Sequence, residues 1–229
     1  MRVLALDAAT EACSVALLDG EDLVSRSAAD GRANARQILG MIDAVLAESQ
    51  LSLGGLDGIA ASIGPGSFTG VRIGVAVAQG LAFGAGLAVL PVNTLEALAF
   101  RLVAGGARRV VACLDARMGE VYWACFTADS ERGVAVQGIP QVGPASSVNL
   151  PAGDPCQGIG RGFAAYPLLD TLPGLELQAE HRQALPHARE FARLGALRRA
   201  LGEGVDAADI NPLYIRDKVA LTEAERAVR

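Results

Sequence analysis

The sequence has no Lys/Arg cluster with aromatics interleaved. Lys and Arg number 20 against 25 Asp and Glu, the net charge is −5, and aromatics make up only 4% of 229 residues. Phosphate neutralisation dominates affinity for nucleic acid, so direct, autonomous binding of RNA or DNA is not expected. Histidine is scarcer still. His181 and His187 are the only two, and their spacing is neither i,i+3 nor i,i+4, so they cannot share a helical face as a zinc-binding pair would. No metal site is expected, and both imidazoles are read as exposed. Cys13, Cys113, Cys125 and Cys156 form no CxxC pair and lack obvious activating neighbours. They read as buried thiols of a reducing compartment. No GxSxG occurs and Ser67 has no histidine near it in sequence, which leaves a Ser-His-Asp hydrolase without support. The opening Met1-Arg2, followed by a strand-like run broken at Asp7, does not read as a secretion leader.

What is present is apolar residue in quantity, 51% hydrophobic against 20% charged. That suffices for one large domain or two small ones, each with a core. From Gly74 to Val92 only Gln79 is clearly polar, and the length approaches a membrane span. Gly74, Gly80, Gly84, Gly86 and Pro91 interrupt that run. The reading is a buried helix ending near Gly84-Ala85-Gly86 and a buried strand Leu87–Val92, with no membrane association.

Along the chain, Val3–Leu6 is a predicted strand ending at Asp7, Cys13–Leu18 a second, and Asp19-Gly20 a hairpin turn leading to Leu23–Ser27. Ala33–Glu48 is an amphipathic helix with Ile38, Met41, Ile42, Val45 and Leu46 at helical spacing. Gly58–Ile63 is a fourth strand. Asn93 and Glu96 make a capping-box-like start for a helix to Val103. After Gly105-Gly106 the pattern restarts with the strands Val110–Leu114 and Val121–Phe126, and Leu114-Asp115-Ala116 repeats Leu6-Asp7-Ala8. Gly138–Pro155 reads as loops with an edge strand, Gln157–Ile159 as a strand entering Gly160-Arg161-Gly162, and Ala184–Leu201 as a helix. Thr222 and Glu225 suit the cap of a short terminal helix. The expected architecture is α/β, two duplicated β-β-β-α-β-α domains at 1–104 and 105–229 facing a cleft.

Two places invite a ligand. The loop Gly64, Pro65, Gly66, Ser67, Thr69 lies between a strand and a helix, the arrangement that offers backbone N–H groups to phosphate, and Ser67 or Thr69 can cap the helix. No Gly-Lys-Ser/Thr follows, however, and Arg72 is the only nearby cation. Asp7 and Asp115 each end a first strand, which is how actin-like ATPases and sugar kinases place their phosphate and magnesium loops. Neither is followed by the glycines that would wrap phosphate. Asp7, Thr10 and Asp115 therefore read as vestigial nucleotide loops, the aspartates satisfying turn amides instead. The helix Gly70–Ala85 carries only Arg72 and Gln79 as polar side chains. Its small residues fall in two rows, Gly70-Gly74-Ala78-Ala82 and Ala76-Gly80-Gly84, the spacing of ridges through which helices pack.

Val3-Leu-Ala-Leu-Asp7-Ala-Ala-Thr-Glu-Ala-Cys-Ser-Val-Ala-Leu17 and Gly64-Pro-Gly-Ser-Phe-Thr-Gly-Val-Arg-Ile-Gly74 resemble the TsaB (YeaZ) family. Pro91-Val-Asn-Thr-Leu-Glu96, Asp115-Ala-Arg-Met-Gly-Glu120 and Pro212-Leu-Tyr-Ile-Arg216 agree in order and spacing. The resemblance implies an actin-like ATPase (ASKHA) or RNase H-like fold. It also implies a cytoplasmic, non-catalytic role in installing threonylcarbamoyl on adenosine 37 of tRNAs that read codons beginning with A. The implied partners are a catalytic TsaD-like paralogue and a TsaE-like ATPase, which hold the metal and the ATP, with tRNA reached only through the complex. Self-association through the same surface is also implied. The first two helices would form that surface, with Leu39, Ile42, Leu46, Gly70, Arg72, Gly74, Val77, Ala78 and Leu81 as candidate contacts. One departure is Ala33-Asn34-Ala35, where relatives often carry His-Ser; it argues further against metal there. The competing readings are an ATP-dependent kinase or ATPase using Asp7 and Asp115, and, behind it, a glycopeptidase.

Overall fold

A computed structural model describes residues 1–28 and 35–216; the expected start of the first helix at 33–34 and the terminal helix after Thr222 lie outside the described residues. The first half contains β1 (Arg2–Asp7), β2 (Cys13–Asp19), β3 (Asp22–Ala28), α1 (Ala35–Glu48), β4 (Gly58–Ser62), α2 (Phe68–Ala85), β5 (Val89–Val92) and α3 (Thr94–Ala104). The second contains β6 (Arg109–Arg117), β7 (Glu120–Asp129), β8 (Gly133–Pro144), β9 (Cys156–Ile159), α4 (Gly162–Ala165), β10 (Leu175–Glu176) and α5 (Ala188–Ala200).

Each half builds one five-stranded sheet, in the orders β3-β2-β1-β4-β5 and β8-β7-β6-β9-β10. The order is the same in both, with the first three strands antiparallel and the last two parallel to the first. Asp7 and Asp115 occupy equivalent ends of β1 and β6, so the short repeat around them is structural. The helical part of the repeat is abbreviated in the second half. A short 3-10 turn at Ala145–Ser147 stands between β8 and β9, and four-residue α4 stands where α2 stands in the first half. The segment from 145 to 155 holds too many prolines and glycines for an amphipathic helix.

The edge strand read among the loops of Gly138–Pro155 is the end of β8, whose full extent from Gly133 pairs with β7 over most of its length. Gly138 and Pro140 obscured it. They are tolerated because β8 is an edge strand and its register with β7 shifts between Trp123 and Cys125. α5 begins four residues later than the apolar pattern suggests, because Pro186 precedes it and His187 caps it, Nδ1 accepting from Arg189 N at 3.2 Å. The imidazoles of His181 and His187 are half-buried rather than exposed. Glu96 does not close a capping box. Asn93 Oδ1 alone accepts from Leu95 N, at 2.8 Å, and Glu96 pairs with Arg198 at 2.5 Å.

The final helix of each half packs on the other half's sheet. α3 lies on β6, β7 and β8, and α5 on β1, β2, β4 and β5. One apolar core therefore runs between the sheets across the junction at 104 and 105, joining Val3, Ala5 and Leu90 to Val110, Leu114 and Phe126 through Leu98 and Phe191. The outer face of the first sheet is covered by α1 and α2 through Leu4, Leu6, Ile38, Ile42, Val75 and Ala78. The outer face of the second is covered by α4 and the turns around it. All four cysteines are buried in strands.

Candidate functional site

The glycine-rich loop and the β1–β2 turn meet at the carboxyl end of the first sheet. Ser67 N donates to Ala9 O at 2.6 Å, and Thr94 N donates to Gly64 O at 2.8 Å. A Cβ on Gly66 would overlap the carbonyl of Ala9, and one on Gly70 the carbonyl of Ala8. The glycines are present because backbone crosses backbone here, and the group they admit is this chain's own turn rather than a phosphate. Gly64, at φ +98°, also has Leu213 O pressed against it at 3.4 Å from where a Cβ would lie. Ser67 caps α2, its hydroxyl accepting from Gly70 N at 3.3 Å; Thr69 is exposed on the helix. The second half repeats the crossing. Cβ atoms on Gly160 and Gly162, after β9, would strike Cys113 on β6.

The two aspartates serve these turns. Asp7 Oδ1 accepts from Ala9 N at 3.0 Å, and Asp115 Oδ1 accepts from Arg117 N at 2.8 Å. Asp115 is further satisfied by Tyr166 Oη at 3.1 Å and Arg117 at 3.2 Å. Asp7 is wholly buried, and among the described residues its Oδ2 has no hydrogen-bond partner. Burial pushes its carboxyl up to about 6, against the Ala9 amide and Ser62 hydroxyl that lower it, while Glu190 raises it further. A magnesium-binding carboxylate needs access, and Asp7 is sealed in the core. Thr10 Oγ1 is likewise buried without a partner.

Between the two turns lies a cleft of about 360 Å³ whose walls include Thr10, Ser67, Phe68, Asp115, Tyr122 and Tyr214. The segment 210–216 closes one side. Leu213 N donates to Ile63 O at 2.7 Å, Gln79 Nε2 to Ile210 O at 3.3 Å, and Arg216 reaches Ala116 O at 3.1 Å as well as Glu120. Glu11 spans the mouth, 3.0 Å from Arg117 and 3.4 Å from Arg161. The cations lining the cleft, Arg117, Arg161 and Arg216, are thus already paired with carboxylates of the chain. Among the described residues no cluster of three or more His, Cys, Asp and Glu could hold a metal.

α2 is a single helix long and apolar enough to cross a membrane by length and composition. It ends as the sequence suggests, with Gly86 in the left-handed region at φ 64°. Its two small-residue rows have different fates. Gly70, Gly74, Ala78 and Ala82 are buried on the sheet, with Leu6 and Ala8 against Gly74. Ala76, Gly80 and Gly84 face outward, and a Cβ on Gly80 or Gly84 would meet nothing within 4 Å. The expected partner contacts at Ile42, Leu46, Gly70, Gly74 and Ala78 are therefore corrected: these residues are spent on the chain's own core. Leu39 and Arg72 are exposed, and Val77 and Leu81 are half-exposed. Ala76 and Gly80, read as a packing row, were not among the candidate contacts, and neither was Phe83, which is 83% exposed. Both rows have helical spacing, and only the position of the sheet distinguishes them.

Curated relatives match end to end. The tRNA threonylcarbamoyladenosine biosynthesis protein TsaB of Haemophilus influenzae is 38% identical over 96% of this chain and 95% of its own length. The TsaB of Escherichia coli is 38% identical over 96% of both. The chain belongs to the TsaB family. The crystal structure described as YeaZ from Pseudomonas aeruginosa superposes with a TM-score of 0.85 at 39% identity, covering 93% of this chain and 99% of that one. The family model described as TsaD, tRNA N6-adenosine threonylcarbamoyltransferase, matches residues 28–149. TsaB membership accords with the α/β, actin-like arrangement of the two sheets, and the TsaD match places this TsaB chain beside a transferase family of related sequence.

Proposed function

We propose that this TsaB chain is a non-catalytic subunit of the cytoplasmic machinery that makes threonylcarbamoyladenosine at adenosine 37 of tRNA. In this reading it is a scaffold for a TsaD-like paralogue acting with a TsaE-like ATPase. The relatives' names carry the pathway. The observation that carries the scaffolding role is the uncovered outward row of α2, Ala76, Gly80 and Gly84, with Phe83 exposed beside it. A ridge without side chains lets a partner helix approach closely. ATP and metal belong to the partners, since Asp7 is sealed in the core and Asp115 is tied to Arg117 and Tyr166. tRNA is engaged only in the complex, in keeping with the net charge of −5. A second copy could occupy the same face when the paralogue is absent.

The test is Gly80→Trp, co-expressed with the TsaD-like paralogue. The expected result is loss of co-purification with an unchanged melting temperature, because the site is open in the folded chain. A normally folded variant that still co-purifies in full would remove the interface. Titration of the isolated chain with Mg-ATP checks the non-catalytic role separately; micromolar binding with turnover would favour an ATPase.

A further inference from the structure

The outward face of α2 is apolar except at its N-terminal end, where one cation is held in a fixed pose. The Arg72 guanidinium stacks on the Phe68 ring, 3.3 Å from its centroid, and lies 5.5 Å from the ring of Tyr214. Arg72 Nε donates to Tyr214 Oη at 2.9 Å. The two rings stand 6.4 Å apart, are both more than half exposed and both line the cleft, while Arg72 itself is exposed on α2 outside that lining. Nη1 and Nη2 find no acceptor among the described residues. Every other arginine described around the cleft has a carboxylate: Arg117 and Arg161 pair with Glu11, and Arg216 pairs with Glu120. Arg72 is also the one charged residue of α2, which contains no acidic side chain.

We propose that Arg72, clamped by Phe68 and Tyr214, is the ionic anchor of this face and takes a carboxylate of the TsaD-like partner in a two-pronged contact. This inference rests on the scaffolding role above. A guanidinium presents two parallel N–H donors that match a carboxylate, and stacking fixes their direction before the partner arrives. Pre-organisation lowers the entropy that binding must overcome. The apolar surroundings of α2 would exclude water on docking and strengthen the pair. The same surroundings would make an unmatched Arg72 costly, which selects against partners lacking the acid. The occupant is thus an apolar helix surface bearing one acidic side chain opposite the start of α2. A second copy of this chain could meet that requirement from α1, where Asp43 is exposed on the helix beside α2.

The experiment measures affinity of the full chain for the purified TsaD-like paralogue by calorimetry at low and high salt. Wild type is compared with Arg72→Gln, Arg72→Lys and Tyr214→Phe. Arg72→Gln should weaken binding about 30-fold or more and flatten its salt dependence. Arg72→Lys should recover only part, because an ammonium cannot make the two-pronged contact, and Tyr214→Phe should fall less than Arg72→Gln. Melting temperatures should stay near wild type, as both sites are exposed. Unchanged affinity and salt dependence in Arg72→Gln overturns the anchor while leaving the scaffold reading intact, provided Gly80→Trp still abolishes binding. Failure of wild type to bind at all removes the scaffold reading itself. Loss of self-association in both Arg72→Gln and Asp43→Asn, with paralogue binding unaffected, assigns the anchor to a second copy and overturns the proposal as stated.

Discussion

Gly66→Ala and Gly70→Ala should each destabilise the fold by roughly 3 kcal/mol or more, enough to empty the soluble folded fraction of a marginally stable domain. The reason is local and steric. In both cases the new methyl group would overlap a backbone carbonyl of the β1–β2 turn, Ala9 for Gly66 and Ala8 for Gly70. A carbonyl in a turn anchored by the Asp7–Ala9 hydrogen bond cannot swing aside as a flexible side chain could. Gly80→Ala, on the outward row of the same helix, should be neutral or slightly stabilising, since its Cβ meets nothing and alanine is the better helix former. Chemical denaturation of the three variants separates them. Equal losses at Gly70 and Gly80 would mean that the helix is not seated on the turn as described. This contrast also fixes how the interface must be probed. A bulky residue at Gly74 or Ala78 would break complex formation by unseating α2 from the sheet, and would say nothing about a partner.

The second large effect is electrostatic. Asp7→Asn should raise stability by about 2 to 3 kcal/mol at pH 8, with the advantage fading as the pH falls toward 4. The sign follows from the direction of the shift. The Asp7 carboxyl titrates near 6 in the folded chain against an ordinary value of 3.8, because burial disfavours its charged form. The folded state therefore holds its proton more tightly than the unfolded one. Its stabilising contribution is complete below the unfolded value and is lost as the pH rises through 6. Asparagine keeps the Oδ1 acceptor for Ala9 N and never ionises, so it retains at pH 8 what the wild type has only in acid. Urea titrations of both proteins from pH 4 to 8 provide the measurement. A variant less stable than wild type at pH 8 would show that the carboxylate is a net support of the turn. The variant should bind the TsaD-like paralogue normally.

Much of the architecture was legible because it rests on local rules. The strand ending at Asp7, the Asp19-Gly20 hairpin, the Ser67 and Asn93 caps and the Gly86 stop are each set by residues within a few positions of the feature. β8 was legible past Gly138 only as an edge strand of unplaced extent among loops. Its glycine and prolines argue for loop, and only the neighbouring β7 supplies the ladder that makes an edge strand of it. The pairing of Glu96 with Arg198 was hidden for the same reason: a capping box is a four-residue pattern, whereas the ion pair spans 102 positions.

By itself the sequence determined that the loop from Gly64 to Gly74 is a tight turn launching a helix with two rows of small residues, and that the chain resembles TsaB. Both follow from residue type and spacing, which survive without coordinates. Only the tertiary structure decided what each row is for. A helix apolar on all sides gives no preferred face, so the choice falls to whatever lies beneath it. Here Ala8, Ala9 and Leu6 at the end of β1 admit only the row through Gly70, Gly74 and Ala78, and seating that row leaves Ala76, Gly80 and Arg72 turned outward. The glycines that first suggested a phosphate cradle serve that seating, since two backbones can cross at such close range only where a side chain is missing.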